Sequence, residues 1–397
     1  MNDNAAAPLV VMLSAAHPPE DIRVVRKEGA SLAAAGWRVR HICPAIATRG
    51  PVSSRPALGG VALAPYARAP GWRGRLLGLP ALARRAAASG AAVLHAHEPD
   101  SWFAALWAAR RTGARVVIDV HEHYPSRLDT KLPAPLRPLA RAAIGAACRL
   151  AGRLADAVVV AREGLDADFA APPERVVHVR NYVLPQPARP RRHRPGPVTL
   201  VHAGVLGRSR GALQMVEALA LAPPGTRLRL IGRFTDASAA AFAARAAALG
   251  IADRIEDLGW LPQEQLPAAL AECDIGLVLF QPVDRNHRLA LPHKLFDYML
   301  AGLPVIAPEF APETAAVVRE AGCGVLVDTA DPRAIAQAVA DLSDPARREA
   351  LGTAGRAAAE GRFGWATEAE RLVALYRRLA PLPADRERGN QADGQGG

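Results

Sequence analysis

The sequence predicts an α/β protein built from two doubly wound, Rossmann-like domains that face each other across a cleft. In both halves, short apolar stretches typical of buried parallel strands alternate with windows of helical periodicity. A segment rich in proline and arginine separates the halves, because proline interrupts both helix and sheet. We predict a first domain over 1–184, a linker over 185–197, a second domain over 198–363, a C-terminal helix over 364–380 that packs back toward the first domain, and a disordered tail over 381–397.

The first domain opens with a strand at Leu9–Leu13 and a helix that follows Asp21 and ends near Ala35. The turn between them lacks the Gly-x-Gly-x-x-Gly pattern of dinucleotide sites, which argues against an NAD(P) enzyme. Residues 5–16 have the length of a signal-peptide core, but no basic residue precedes them, so we interpret them as the start of the core. Later strands are predicted at 37–43, 60–65, 91–95, 114–120, 156–160 and 175–179.

Positive charge is concentrated in the first half of the chain. Residues 1–190 hold 25 Lys and Arg against 14 Asp and Glu, a net charge of 25 − 14 = +11, whereas residues 191–397 hold 24 of each. A basic half indicates an anionic partner, such as a membrane surface, an acidic substrate or nucleic acid, and a merely solvated arginine-rich surface is the alternative. Aromatic residues are few, which disfavours nucleic acid.

The basic and apolar stretch 72–80 is interpreted either as a membrane-surface segment or as an ordinary helix.

Other bulk features exclude several classes of protein. No apolar run reaches the ~18 residues that a membrane-spanning helix needs. The four cysteines lie far apart with no Cys-x-x-Cys pair, which argues against a zinc site and favours reduced thiols in a cytoplasmic protein.

Histidines and glutamates follow two predicted strands of the first domain. His97 follows one strand, and His121 and Glu122 follow the next. The carboxyl ends of strands in an open α/β sheet are where such folds bind ligands. A metal is an alternative use of these residues, but no His-Glu-x-x-His or comparable pair supports it, and we predict no metal site.

A phosphate-binding turn is predicted where the second domain begins. The strand over 198–202 leads into Ala203–Gly211, which contains Gly204, Gly207, Arg208 and Arg210, and then into a helix. Guanidinium groups match phosphate oxygens, and backbone N–H groups at a helix N-terminus bind anions. Arg233 marks a strand end at the same edge of the sheet. An exposed loop charge is the alternative interpretation of these arginines.

The segment Asn286–Ala307 predicts a polar loop, a helix that opens near Pro292, and a buried strand over 303–307. Gly302 is a helix-end signal. The loop and the helix N-terminus would present their residues to the cleft, with a carboxylate one turn inside. The candidates for ligand binding in this segment are Leu291, Pro292, His293, Lys294 and Asp297.

This arrangement resembles the GT-B glycosyltransferases, in particular the retaining family 4 group that includes lipopolysaccharide, mannosyl and sucrose-type transferases. The resemblance covers roughly residues 8–380. It rests on Ala203–Gly211, on Leu258-Gly-Trp-Leu-Pro262, and most specifically on the stretch over 291–306. In the first domain, the Asp-Ile-Arg-Val that begins at Asp21 and the Asp-Val-His-Glu-His-Tyr over 119–124 are similar to family elements.

The resemblance implies roles for individual residues. Asp297 would hold the ribose hydroxyls, Arg208 and Arg210 the diphosphate, and His121 would line the sugar site. The remaining donor-site candidates are Gly204, Gly207, Arg233, Leu291, Pro292, His293 and Lys294, and the acceptor or sugar-site candidates are His97, Glu122 and Asp21. Two departures stand out. The ribose residue is usually Glu and here is Asp297, and the partner Glu eight positions earlier is Leu289.

The chemistry that follows is transfer of a hexosyl group from a nucleotide-diphosphate sugar, with retention of configuration. The expected acceptor is a glycan, a lipid-linked molecule or another component of the cell envelope. Cations placed at the departing diphosphate would stabilise its developing charge without a metal or other cofactor. We expect a cytoplasmic enzyme, at the inner face of the membrane if the basic half binds anionic lipid. The alternatives are an inactive nucleotide-sugar-binding protein and a sugar-nucleotide epimerase or hydrolase.

Overall fold

The computed structural model describes residues 7–45, 56–69, 71–129, 132–184 and 192–385. These residues form two compact units. The first contains the described residues up to Arg180 together with those from Ala366 onward, and the second is Asn181–Trp365. Each unit is built around its own sheet of parallel strands.

The sheet of the first unit has eight strands within the described residues, in the spatial order β3-β4-β2-β1-β5-β6-β7-β8. All neighbours are parallel except β3 and β4. The central strands are buried because helices cover both faces of a doubly wound sheet. The strands are β1 (Leu9–Leu13), β2 (Arg38–Pro44), β3 (Ala57–Leu58), β4 (Val61–Tyr66), β5 (Val93–Ala96), β6 (Arg115–Val120), β7 (Ala157–Val160) and β8 (Val176–His178).

The first helix of this unit is wound in two ways. Ile22–Gly29 is π-helical and continues as α1 (Ala30–Ala34). Asp21 caps its start, since its carboxylate accepts hydrogen bonds from the N–H groups of Arg23 and Val24. The helices that follow are α2 (Gly71–Ala87), α3 (Pro99–Thr112) and α4 (Arg137–Leu154).

The second unit has a six-stranded sheet in its described part, with the order β11-β10-β9-β12-β13-β14 and all neighbours parallel. The strands are β9 (Thr199–Leu206), β10 (Arg227–Phe234), β11 (Ile255–Asp257), β12 (Ile275–Leu277), β13 (Val305–Pro308) and β14 (Gly324–Val327). Both sheets confirm the predicted class of two Rossmann-like α/β domains.

Helices α5 to α12 cover the second sheet. Helix α9 turns one face to the core, since Leu295, Phe296, Met299 and Leu300 are all buried. The hydroxyl of Tyr298 accepts a hydrogen bond of 2.7 Å from the N–H of Ala203, which ties α9 to β9. The helices are α5 (Ala212–Leu221), α6 (Ser238–Ala248), α7 (Leu266–Leu270), α8 (Arg285–Arg288), α9 (His293–Leu300), α10 (Pro312–Ala321), α11 (Pro332–Asp341) and α12 (Pro345–Glu360).

The last helix, α13 (Trp365–Leu379), packs on the first unit. The hydroxyl of Tyr376 lies 2.9 Å from Nδ1 of His95, and the indole N–H of Trp37 donates to the carbonyl of Ala380. The buried carboxylate of Glu368 accepts a hydrogen bond from the N–H of Arg180.

The predicted loop that opens at 286 needs correction, because it lies partly in the short helix α8, which Asp284 caps. Of the predicted linker and tail, residues 185–191 and 386–397 lie outside the described residues, as do residues 5 and 6 of the candidate signal-peptide core.

None of the helices in the described parts of the chain has both the length and the apolar character needed to cross a membrane.

Candidate active site

The glycine-rich turn of the second unit follows β9, a central strand of its sheet. Gly204 pairs with Gly232 of β10, and a side chain at Gly232 would collide with the carbonyl of Gly204. Arg208–Arg210 then form one 3₁₀ turn, and Gly211, with φ of 78°, precedes α5. A side chain at Gly211 would meet the carbonyl of Leu279. Glycine is thus required where the backbones approach each other most closely.

The backbone amides of this turn differ from the expected anion cradle. The N–H groups of Arg210, Gly211 and Ala212 bond to carbonyls within the turn. The N–H of Arg208 donates to a carboxylate oxygen of Asp236 at 2.8 Å. These four N–H groups are therefore already bonded, and the capacity of the turn to bind an anion lies in its side chains.

The two arginines of the turn have different surroundings. Arg208 is exposed, and its backbone lies beside the Asp236 carboxylate. Arg210 is half-buried, with its guanidinium carbon 4.5 Å from the centre of the Phe280 ring. Stacking on an aromatic ring holds a guanidinium in one orientation. Arg210 is therefore the better ordered of the two cations.

Lys294, in the first turn of α9, approaches the same turn. Its Nζ lies 2.8 Å from Nε2 of the buried His202, and its side chain reaches the space beside Gly204. Burial, and after it the charge of Arg210, hold the pKa of Lys294 well below its usual value. Burial and the neighbouring Lys294 likewise hold the pKa of His202 well below 6.5. Three basic side chains from β9, the turn and α9 are thus close together.

The other donor-site candidates lie on or next to α9. Pro292 precedes the helix, Leu291 is buried, and His293 is exposed. Asp297 is partly buried, and its charge acts to raise the pKa of Lys294. Leu289, at the position of the family's first Glu, immediately follows α8.

A cation–aromatic pair lies at the ends of β10 and β11. The guanidinium of Arg233 is 5.2 Å from the ring of Trp260, and both side chains are exposed. The pair offers a flat surface at the same edge of the sheet as the Arg208–Arg210 turn.

In the first unit, the end of β6 carries a buried carboxylate, Asp119, two residues before His121. Nε and Nη2 of Arg23 donate to the two oxygens of Asp119 at 3.0 and 2.9 Å. Nε2 of His121 lies 2.7 Å from Oδ2 of the same carboxylate. Burial acts to raise the pKa of Asp119, but Arg23 and then His121 hold it well below its usual value. The carboxylate is ionised and multiply hydrogen-bonded.

His97, predicted at the sugar site, is fully buried and cannot line a ligand surface. Its Nδ1 lies 3.2 Å from Oδ2 of Asp119, and burial lowers its pKa to about 3. The burial of His97 corrects the prediction. A strand-end residue that faces solvent cannot be distinguished by sequence alone from one that faces the core. His97 lies next to the carboxylate oxygen of Asp119 that also contacts His121.

The other two acceptor-site or sugar-site candidates have structural partners. Glu122 forms an ion pair with Arg127. Asp21 caps the first helix and lies 2.9 Å from Nδ1 of His17. Burial alone would lower the pKa of His17, but the bond to Asp21 and nearby carboxylates raise it to about 9.

A cluster of possible metal ligands lies in the same region. The ligand atoms of Glu28, His95, His97 and Asp119 lie within 4.8 Å of one another, and all four residues are buried. However, Nη2 of Arg23 lies 2.9 Å from both Glu28 Oε1 and Asp119 Oδ1. A guanidinium thus already occupies the position of the neutralising cation, so the set fits a divalent ion poorly.

Several residues of these sites were missed by the sequence analysis. His202 had a usable signal, because it ends the predicted strand over 198–202, directly before the glycine-rich segment; in the structure β9 continues past it to Leu206. Arg23 lies in the Asp-Ile-Arg-Val element of the resemblance, but that element did not assign it a partner. Glu28 lies on the same helix, whose apolar periodicity suggested only a core face, and Tyr376 lies more than 200 residues away. Such distant partners carry no local pattern.

Two family models match the chain. The model described as "Glycosyl transferase 4-like domain" matches residues 22–181, and the model described as "Glycosyl transferases group 1" matches residues 197–344. Together with the two sheets, these matches define the class of each unit: the first is similar to a glycosyl transferase 4-like domain and the second to a glycosyl transferases group 1 domain.

Individual relatives agree with this class. A D-inositol 3-phosphate glycosyltransferase from Thermobispora bispora is 32% identical over 242 residues, which are 56% of this chain and 55% of that protein. A GDP-mannose-dependent alpha-(1-6)-phosphatidylinositol monomannoside mannosyltransferase from Mycolicibacterium smegmatis is 35% identical over 133 residues, 32% of this chain and 34% of that protein. The chain spans about half of the first relative's length and a third of the second's.

Solved structures share the fold over almost the whole chain. Sucrose-phosphate synthase from Thermosynechococcus elongatus superposes with a TM-score of 0.73 at 20% identity, covering 94% of this chain and 99% of that one. HepE from Anabaena, solved in complex with UDP, gives 0.71 at 15% identity, covering 93% and 99%.

Proposed function

We propose that this protein is a retaining hexosyltransferase that uses a nucleotide-diphosphate sugar as its donor. The observation that carries the proposal is the group formed by Lys294, His202 and Arg210 beside the glycine-rich turn. Two of its members have pKa values lowered by burial and by neighbouring positive charge. A group of this kind is stabilised when an anion binds. A diphosphate is the anion that the proposed reaction supplies.

In the proposed reaction, the bond between the anomeric carbon and the donor phosphate breaks, and a bond to the acceptor oxygen forms on the same face of the sugar. The acceptor hydroxyl gives its proton to the departing diphosphate. Arg210 and Lys294 stabilise the negative charge that develops there, which lowers the barrier because the charge is greater in the transition state than in the ground state. Arg208 contributes less, because it is exposed. No metal or cofactor is needed in this scheme.

Other parts of the donor have proposed sites on the same unit. Asp297 would accept hydrogen bonds from the ribose hydroxyls, and Leu291, Pro292 and His293 would line the approach to α9. Arg233 and Trp260 offer a surface on which a base stacks. In the first unit, His121 would contact the transferred sugar, since its side chain is 15% exposed at the end of β6.

The proposed acceptor is anionic or held at a membrane surface. Both relatives quoted above are named for inositol phosphate or phosphatidylinositol acceptors. In the first unit, α2 exposes Trp72 and Leu77 beside Arg73, and α4 exposes Leu139 beside Arg141. Apolar and basic side chains together suit the surface of an anionic bilayer. We propose a cytoplasmic protein that works at the inner face of the membrane.

The inactive nucleotide-sugar-binding protein remains a second candidate, because Leu289 replaces the family's first Glu. A thermal-shift screen of UDP, GDP and ADP sugars, followed by assays of nucleotide release with and without acceptor glycolipids, separates the candidates. Acceptor-dependent release identifies a transferase, and release or isomerisation without acceptor identifies a hydrolase or epimerase. Binding without turnover identifies the inactive protein, and no stabilisation by any sugar nucleotide contradicts all three.

A further inference from the structure

His121 is held from both its backbone and its side chain. Arg162 donates a hydrogen bond to the carbonyl oxygen of His121. The ring is held by Asp119, whose Oδ2 lies 2.7 Å from Nε2. The rings of His17 and His97 lie edge-on to it, with centroids 5.0 and 5.6 Å away. The imidazole therefore has one orientation, with its Nδ1 side away from the carboxylate.

Asp119 accepts hydrogen bonds and donates none. Its two oxygens accept hydrogen bonds from Nε and Nη2 of Arg23. Arg23 is itself fixed, because its Nη1 donates to the carbonyl of Val179. An ionised carboxylate in this position requires the hydrogen on the histidine nitrogen that faces it.

We propose that Asp119, anchored by Arg23, is a positioning residue that holds His121 as the Nε2–H tautomer and so presents Nδ1 to the substrate. This inference rests on the proposed function for the role of His121 but not for its tautomer. With Nδ1 free of hydrogen, the ring accepts a hydrogen bond from a sugar or acceptor hydroxyl. With the other tautomer it would donate one, and the preferred pose of the sugar would change. The same logic applies to carboxylate–histidine pairs in hydrolases, where an Asp→Asn change produces the wrong tautomer.

The substitution Asp119→Asn tests whether Asp119 acts on His121 through its two acceptor oxygens or only fills space. Asn has the same shape but only one acceptor oxygen, and Arg23 demands acceptors at both positions. When the Asn nitrogen takes the Oδ2 position, it faces His121 as a donor, so Nε2 must accept and the hydrogen moves to Nδ1; in the other amide orientation the nitrogen faces Nη2 of Arg23. The matched control is Asp156→Asn. Asp156 also binds an arginine, Arg115 at 2.8 Å, and the N–H of Val116 at the other end of β6.

The direct test is ¹⁵N NMR of the full chain with labelled histidines, in the absence of any donor, at the alkaline end of a titration. The His121 signals are assigned by their loss in His121→Gln. We expect Nε2–H in the wild type and in Asp156→Asn, and Nδ1–H in Asp119→Asn. Nδ1–H in the wild type would overturn the proposal. This measurement needs no variant at position 119, so a failure of Asp119→Asn to fold leaves the proposal testable.

Kinetics supply a second readout if the chain transfers sugar. We expect Asp119→Asn to lower kcat at least 100-fold with the donor KM within threefold, and Asp119→Glu to recover part of the loss. A folded Asp119→Asn with unchanged tautomer and turnover within threefold would also overturn the proposal. If no sugar nucleotide is turned over but the wild-type tautomer is Nε2–H, the positioning role stands and the proposed function fails.

Discussion

The amine of Lys294 lies 2.8 Å from Nε2 of His202, which brings the first turn of α9 into contact with the middle of β9. Among the described residues, neither side chain has a carboxylate at that distance. We propose that an anion completes the pair, and this proposal leads to the first three predictions.

Lys294→Met should weaken donor binding and slow turnover. Lys294 supplies a cation at the proposed phosphate site, and its loss should cost about 2–4 kcal/mol in kcat/KM. Steady-state kinetics with the donor identified by the screen would measure it. Arg245→Met on α6, which removes a surface ion pair with Glu217 of α5, is the control and should change kcat/KM by less than twofold. Equal kinetics for Lys294→Met and wild type would remove Lys294 from the site.

Arg210→Ala should impair the enzyme more than Arg208→Ala. Arg210 is half-buried and stacked on Phe280, whereas Arg208 is exposed to solvent that screens its charge. We expect a higher donor KM and lower turnover for Arg210→Ala, with a loss of about 2–4 kcal/mol in transition-state stabilisation. The loss for Arg208→Ala should be several-fold smaller. The reverse order would show that the diphosphate lies on the outer side of the turn.

Nucleoside diphosphate binding should take up protons. Burial and Arg210 lower the pKa of Lys294 in the free protein, and a bound anion raises it again. Affinity should therefore fall as the pH rises through the pKa of the free lysine. Calorimetry of UDP or GDP binding in buffers of different ionisation enthalpy measures the uptake. The same titration with Lys294→Met corrects for the nucleotide's own protons, and equal uptake by both proteins would contradict the prediction.

The His17–Asp21 pair should make stability depend on pH. The pKa of His17 is raised from 6.5 to about 9 in the folded protein. Its stabilisation is therefore complete below the unfolded value and is lost as the pH rises through about 9. We expect a loss on the order of 2 kcal/mol in the free energy of unfolding, measured by urea titration. His17→Gln should show a smaller decline over the same interval, and parallel curves for the two proteins would show that the pair does not stabilise the fold.

The exposed face of α2 should bind anionic membranes. Vesicle flotation with anionic lipid at low salt should recover the wild type, and binding should weaken as salt is added. The double substitution Trp72→Ser and Leu77→Ser should abolish flotation. Leu221→Ser, which changes another exposed leucine at the end of α5, is the control and should bind like the wild type. No flotation of the wild type at low salt would count against a membrane-held acceptor.

Hydrophobic periodicity was enough to predict the two α/β domains, and it placed β1 and α13 close to their observed bounds. Those features depend on residues within one turn or one strand, where spacing alone sets which side chains share a face. The Arg208–Arg210 turn and α9 were located in the same way. Their roles in donor binding remain predictions.

The tertiary structure decided which polar groups meet. Arg23 reaches Asp119 across 96 residues, and Lys294 reaches His202 across 92. It also showed that His97 faces the core and that the backbone amides of the turn are already bonded. No local pattern carries such information, because the energy of a buried charge depends on partners that only the folded sheet brings within hydrogen-bonding distance.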